Sequence, residues 1–206
     1  MKRSRFGMAF VLMNACLLLV TGCSSPPTRF YVLSTLPDAA SIPSGAGKDV
    51  AVGVGPLELP DYLDRPQIVT RSGQNELNLA EFDNWAEPLK DNATQVLAEN
   101  LAVLLPSKKI ATYPWKRSTP IDFQVAVKVT RFDHTQGGET VLSTRWSILS
   151  GDGGKELVSR ESRYRERPSG DSYNATVAAM NRALALFSRD VADAIIAQTG
   201  DRLPPR

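Results

Sequence analysis

The chain has 206 residues, of which 42% are hydrophobic and 22% are charged. This composition is typical of a globular protein and excludes a disordered chain or a protein with several membrane spans. Outside the first five positions, which hold three basic residues, the chain has 21 basic and 22 acidic residues. Such a balance lacks the excess of lysine and arginine with which proteins neutralise nucleic-acid phosphates, so we expect no nucleic-acid partner.

The amino terminus has the three parts of a secretory signal. A basic start precedes an apolar run over about residues 6–20, and small residues then lead to Cys23. The apolar run has roughly 15 residues, fewer than the ~20 that a membrane-spanning helix needs. We therefore predict a cleaved signal peptide over residues 1–22.

Cys23 follows Val20, Thr21 and Gly22 in a pattern that resembles the lipobox of bacterial lipoproteins. The resemblance implies that Cys23 carries acyl chains, palmitate among them, and becomes the new amino terminus. Several chains, at ~0.8 kcal/mol for each buried methylene, anchor a protein firmly. The alternative is an ordinary thiol or a disulfide, for which the only partner is Cys16 in the leader. Ser24, in place of aspartate, matches lipoproteins that are sent to the outer membrane.

The mature chain begins with a serine- and proline-rich tether, which with Cys23 occupies residues 23–28. A first strand is predicted at 30–33, and residues 37–47 predict a loop rich in proline and glycine. Val50, Val52 and Val54 alternate with alanine and glycine, which predicts a strand that packs closely on its small face. The G-x-G motif there lacks a third glycine and therefore does not indicate a nucleotide site.

A hairpin is predicted next, with strands at 67–71 and 76–79 joined by a polar turn. After these strands the spacing of the apolar residues changes to that of a helix. Over 84–105 they fall on one helical face, which predicts a first long helix. Asp83 or Asn84 is the predicted amino-terminal cap of this helix.

Three strands follow, at 121–130, 140–150 and 156–167, and the turns between them predict an antiparallel meander. A second long helix is predicted over residues 172–198, and Gly200 is a natural stop for it.

These elements predict a single α/β domain over residues 29–200, followed by a short tail at 201–206. Its mixed β-sheet of about six strands, including the antiparallel meander, packs against two long amphipathic helices.

Residues suited to catalysis or metal binding are scarce. His134 is the only histidine, no G-x-S-x-G motif accompanies it, and a solvated polar residue at a strand end is its simpler explanation. One histidine and no free thiol in the mature chain leave only scattered carboxylates as metal ligands. We therefore predict no catalytic residue, no metal and no cofactor.

Two segments have features of contact surfaces. Arg160, Arg163, Arg165 and Arg167 lie close together in one predicted strand, either as the solvated charges of an edge strand or as a contact for an acidic partner.

The segment at 55–89 holds large apolar side chains in loop-like stretches, which mark either an ordered connection or a contact surface. Our candidate partner or subunit surface comprises Tyr62, Leu63, Asp64, Arg65 and Trp85.

Two stretches of this segment, LPDYLDRPQIV at 59–69 and LAEFDNWAEPL at 79–89, resemble the signature of the ABC-type transport auxiliary lipoproteins, the PqiC-like family. Further resemblance lies in CSSPPTRFYVLS, VLAENLAVLLP, DFQVAVKVTRFD and STRWSIL, which together cover most of the mature chain.

The resemblance implies a non-enzymatic lipoprotein on the periplasmic face of the outer membrane. Such proteins form ring-shaped homo-oligomers and dock an MCE-domain tunnel protein, which works with an inner-membrane partner to move phospholipid between the membranes. The alternative function is a scaffold lipoprotein for envelope assembly or the cell wall, unrelated to lipid transport. An enzyme would have to depend on His134.

Overall fold

The computed structural model describes residues 26–36, 49–107 and 109–200. The predicted signal peptide, Cys23, the predicted loop at 37–47 and the tail at 201–206 lie outside these residues. Within them, no helix is long and apolar enough to cross a membrane.

The described part of the chain forms the predicted mixed α/β domain, with eight strands where about six were expected. A short 3₁₀ helix, Asp61–Leu63, lies between the second and third strands. In chain order the elements are β1 Arg29–Tyr31, β2 Val52–Glu58, β3 Gln67–Arg71, β4 Leu77–Trp85, α1 Leu89–Leu104, β5 Ile110–Thr112, β6 Phe123–Thr135, β7 Thr140–Ser150, β8 Glu156–Glu166 and α2 Tyr173–Gly200.

The long strand β6 organises the sheet. One of its edges pairs with β7 along nearly its whole length, and β8 completes the predicted antiparallel meander. The other edge is shared, because β2 pairs in parallel with the first half of β6 and β3 pairs in parallel with its last two residues. The outer strands β4 and β1 follow β3, and β5 follows β2.

These pairings fix the direction of every strand. β3, β6 and β8 all finish at one end of the sheet, where β4 and β7 begin. We call this the hairpin end, formed by the β3–β4 turn at 72–76, the β6–β7 turn at 136–139 and residues 165–167. The β7–β8 turn at 151–155 lies at the opposite end. β1 runs in the same direction as β4 but lies beside its last residues.

Both helices pack on one face of the sheet, where the core lies. Phe187 of α2 is buried against Trp146 of β7 and Tyr164 of β8, with ring centroids 5.9 Å apart in each pair. Along β6 a register shift between Val129 and Arg131 changes the alternation of side chains. Phe132 consequently lies in the core, whereas its neighbour Asp133 lies on the opposite face of the sheet.

The close packing predicted for the small face of β2 is present. A β-carbon placed on Gly53 would lie 2.8 Å from the Trp115 ring, so a larger residue there would force the ring to move.

The predicted start of α1 is wrong. Asp83 and Asn84 do not cap a helix, because β4 continues to Trp85 and α1 begins at Leu89 after Pro88. Strand pairing accounts for the difference: Asn84 lies opposite Gln67 of β3 and beside Phe30 of β1.

Three asparagines attach the segment after β1 to the helices. The amides of Leu33 and Leu36 donate to the side-chain oxygens of Asn92 at 2.6 Å and Asn100 at 2.7 Å. The amide of Ser34 donates to Asn181 of α2 at 3.0 Å. Because both helices hold it, this segment couples the start of the domain to the core.

Candidate functional site

The candidate surface is built on the 3₁₀ helix between β2 and β3. Its turn is closed by amides that donate to backbone carbonyls, from Leu63 to Pro60 at 2.9 Å and from Asp64 to Asp61 at 3.2 Å. The turn directs Leu63 into the core, where 2% of the residue is exposed, and leaves Asp64 in solvent.

Trp85 completes the same region from the end of β4. Its backbone amide donates to the carbonyl of Pro66 at 2.7 Å, which brings the stretches 59–69 and 79–89 side by side. The side chain is buried, with 6% of the residue exposed. Leu63 and Trp85 both contribute to the hydrophobic core, which for these two residues favours the ordered connection over the contact surface.

A cavity of about 360 Å³ lies over this junction. One buried atom beside it, Nε of Arg65, has no hydrogen-bond partner among the described residues. Of the five candidate residues, Asp64, Arg65 and Trp85 therefore share one cavity. Its lining comprises Asp64, Arg65, Pro66, Trp85, Ala86, Glu87 and Pro88.

Tyr62 lies apart from this cavity and joins a polar cluster on the face of the sheet away from the helices. Its hydroxyl donates to Oδ2 of Asp133 at 2.9 Å, and the same oxygen accepts from Nε of Arg71 at 2.9 Å. Arg131 Nε donates to Oδ1 at 2.8 Å, so Asp133, which is fully buried, has charged partners on both oxygens. Burial, together with Asp133, raises the pKa of Tyr62.

Sequence reasoning missed this cluster, although Tyr62 itself was singled out. The local signals were Asp133 directly after the apolar Phe132 in a strand, and Arg131 shortly before it. Its other arginine partner, Arg71, lies 62 positions away.

Another buried carboxylate, Asp83, attaches β1 to the sheet. It accepts from Nε of Arg29 at 2.8 Å and from the hydroxyl of Tyr31 at 2.7 Å. Hydrogen bonding to Asp83 raises the pKa of Arg29, and burial is the main cause of the raised pKa of Tyr31.

His134 is partly buried near the hairpin end of the sheet. It lines a cavity of about 470 Å³ together with Thr70, Asp171 and Tyr173. Burial lowers the pKa of His134, which favours the neutral imidazole. In the described part of the chain, no hydrogen bond joins His134 to a serine or threonine hydroxyl, and no group of three potential ligands could hold a metal.

Arg160, Arg163 and Arg165 lie on β8 and Arg167 directly follows it. Among the described strands β8 is an edge strand, as one reading of the sequence predicted. The guanidinium of Arg160 lies over the Trp146 ring at 5.6 Å. On the other face, Arg163 Nε donates to the hydroxyl of Ser143 at 3.1 Å. Arg167 lies 4.0 Å from Glu139.

Two proteins of known name are similar to this chain over almost their whole length. Both are called intermembrane transport lipoprotein PqiC, one from Escherichia coli (strain K12) and one from Shigella flexneri. Each is 26% identical over 195 residues, which cover 94% of this chain and 98% of the relative.

The fold is also found in solved crystal structures. A Xanthomonas campestris protein superposes with a TM-score of 0.68 at 18% identity, covering 85% of this chain and all of that one. A second structure, of an uncharacterized protein, gives 0.68 at 20% identity and covers 82% of this chain and 99% of that one. At such low identity these two likenesses establish the fold alone.

A family model also matches the chain and covers most of the domain. The model of the ABC-type transport auxiliary lipoprotein component matches residues 31–192, which run from the end of β1 to within α2. This match includes both stretches in which the sequence resembled that family. The chain therefore belongs to the ABC-type transport auxiliary lipoprotein family.

Proposed function

We propose that this protein is a non-enzymatic lipoprotein of the outer membrane that docks the tunnel of an MCE-type lipid transport system. Cys23 carries the acyl chains, and the domain faces the periplasm as part of a homo-oligomeric ring. The observation that carries the proposal is the similarity to intermembrane transport lipoprotein PqiC over 98% of that protein's length.

The organisation of the domain supports a role in attachment. β1, which follows the tether, is held to β4 through Asp83. The next residues are held to both helices by asparagine side chains. A membrane anchor at the amino terminus is thereby joined to the whole fold, as a docking component requires.

The cavity lined by residues 64–66 and 85–88 is our candidate for the partner surface. A buried guanidinium nitrogen without an acceptor is costly, and a carbonyl or carboxylate from a bound partner would satisfy Arg65 Nε. Glu87 and Asp64 supply negative charge at the same rim. The surface thus offers donors and acceptors around the apolar Trp85 and its two neighbouring prolines.

The first experiment is recovery of partners from detergent-solubilised envelopes with a tagged, full-length protein. We expect an MCE-domain protein to co-purify with the wild type and to be lost or strongly reduced with Arg65→Glu. Arg189→Glu makes the same charge change on the exposed side of α2 and should retain the partner. Absence of any MCE protein from the wild-type sample, with the protein remaining a monomer, would contradict the proposal.

The second experiment concerns the anchor. Cys23→Ala should abolish metabolic labelling with a palmitate analogue and leave the leader uncleaved. Normal labelling of this variant would show that Cys23 is not the attachment site. Fractionation of labelled wild-type envelopes should place the protein with outer-membrane markers.

A further inference from the structure

The direction of β1 indicates which end of the domain lies nearest the anchor. β1 runs parallel to β4, with Arg29 beside Asp83, so a line continued backward along β1 from Arg29 points toward the level of Leu77. Cys23 precedes Arg29 by six positions, and Leu77 precedes Asp83 by six. At ~3.3 Å per residue each stretch spans about 20 Å. The tether is therefore long enough to keep the hairpin end close to the membrane that holds Cys23.

An arginine-lined cavity lies at this same end, on the face of the sheet opposite the helices. Its volume is about 450 Å³, and it opens to solvent between the β6–β7 turn and the end of β8. Its charged lining consists of Arg131, Arg163, Arg165, Arg167 and Glu139.

The positive charge of this cavity is not balanced by its own carboxylates. Arg131 shares the buried Asp133 with Arg71, and Arg167 lies at the limit of ion-pair distance from Glu139. Arg163 donates to a neutral hydroxyl, and Arg165 has no carboxylate partner within the described residues. The arginine cavity therefore has spare guanidinium donors, which bind phosphate with two parallel hydrogen bonds.

Exposed leucines accompany the arginines at the hairpin end. Leu77 and Leu79, at the start of β4, have 36% and 48% of their surface exposed. Apolar side chains at the same end of the domain as arginines suit the boundary between headgroups and acyl chains, where both kinds of contact are available.

We propose that the hairpin end faces the membrane and that its arginine cavity binds the phosphate of an anionic phospholipid headgroup. Leu77 and Leu79 then lie against the acyl boundary. The orientation rests on the lipidation of Cys23 in the proposed function, whereas the arginine cavity stands on the described geometry. An acidic protein or a second copy of the chain is the competing occupant, and the experiments below separate it from lipid.

The headgroup is tested with soluble lipids and the full chain in non-ionic detergent. Isothermal titration should show binding of dihexanoyl-phosphatidylglycerol, with much weaker binding of dihexanoyl-phosphatidylcholine and of inorganic phosphate. Arg165→Gln combined with Arg167→Gln should weaken phosphatidylglycerol binding about tenfold to thirtyfold. Arg189→Gln is the matched control and should leave it unchanged. No binding of phosphatidylglycerol, or equal binding of inorganic phosphate, would overturn the proposal.

The orientation is tested with fluorophores on opposite ends of the sheet. The mature, acylated protein has no free thiol, so Gln74→Cys in the β3–β4 turn and Lys155→Cys in the β7–β8 turn can each be labelled. In vesicles of phosphatidylethanolamine and phosphatidylglycerol, a headgroup-attached quencher should reduce emission from position 74 and spare position 155. Quenching at position 155 alone, or equally at both positions, would overturn the orientation.

Two outcomes separate this inference from the proposed function. Failure of the protein to enter vesicles would count against the anchor, while the titration in detergent would still show whether the arginine cavity binds phosphatidylglycerol.

Sedimentation of the double arginine variant tests whether a second copy of the chain, and not lipid, occupies the arginine cavity. An assembly of unchanged size supports lipid, and smaller particles would show that the arginines join copies of the chain.

Discussion

The two faces of β6 are stabilised by different physics. On the face covered by the helices, Phe132 and its neighbours are buried among apolar side chains, whose contribution scales with the area removed from water. On the opposite face, Asp133 is equally buried but depends on Arg71, Arg131 and Tyr62. The difference predicts that substitutions in the apolar face cost stability in proportion to the volume lost, whereas those in the polar cluster cost stability according to which charge is left unpaired.

The largest effect is expected in the apolar face. Phe187→Ala removes a ring that is 1% exposed and contacts Trp146 and Tyr164, and should lower the free energy of unfolding by about 3–5 kcal/mol. The measurement is urea unfolding followed by circular dichroism. Leu186→Ala, at the adjacent and exposed position of α2, is the control and should cost less than about 1 kcal/mol. Equal costs would contradict the assignment of the core face.

The polar face is probed by Asp133→Ala, which leaves two arginines without their carboxylate. Loss of one partner from a buried ion pair costs about 3–5 kcal/mol, and the partial exposure of Arg71 and Arg131 reduces this to about 2–3 kcal/mol. Tyr62→Phe should cost only about 1 kcal/mol, since it removes one hydrogen bond. Additivity of Asp133→Ala and Arg71→Ala in the double variant would show that the two residues are not coupled.

The two faces also differ in how far the sequence predicts them. Alternation of apolar and polar residues over 121–130 predicted the strand that is β6, and helical periodicity predicted α2, because both patterns are local. Arg131 is a local partner of Asp133, but Arg71 could not be found locally, since it belongs to a strand that pairs with only the last two residues of β6.

The candidate surface shows the same limit. The sequence selected Trp85 and Leu63 as large side chains outside regular elements, but both are buried. Trp85 ends β4 with its amide bonded to the carbonyl of Pro66, a contact that no short-range pattern encodes. β5, a strand of three residues, was not predicted.

Asn100 is a polar residue that is buried on the apolar side, and it gives a further test of how the two faces differ. Asn100 is 1% exposed, accepts from the amide of Leu36 and donates to Ser188 Oγ at 3.0 Å. Asn100→Ala should cost about 1–3 kcal/mol, because the Leu36 amide loses its acceptor. It should also speed hydrogen exchange of the segment after β1. Gln95→Ala on the exposed side of the same helix should do neither. Unchanged exchange in Asn100→Ala would show that the asparagine does not hold this segment.

The smallest effect concerns protonation of His134, which is partly buried near the hairpin end. Burial lowers the pKa of His134 from its ordinary value of 6.5, although Glu139, Asp133 and Asp171 act in the opposite direction. The unfolded chain therefore binds the proton more readily than the folded one. Stability from the neutral imidazole is complete above pH 6.5 and is lost as the pH falls from there through the lowered pKa.

Urea unfolding of the wild type and of His134→Gln, compared at about pH 7.5 and about pH 5, isolates this contribution from that of the carboxylates. The wild type should lose more stability than the variant between the two values, because glutamine does not titrate. A variant that loses as much as the wild type would show that the proton is taken up elsewhere. A variant that loses more would reverse the sign and require His134 to be stabilised in its charged form, with Asp133 and Asp171 outweighing burial.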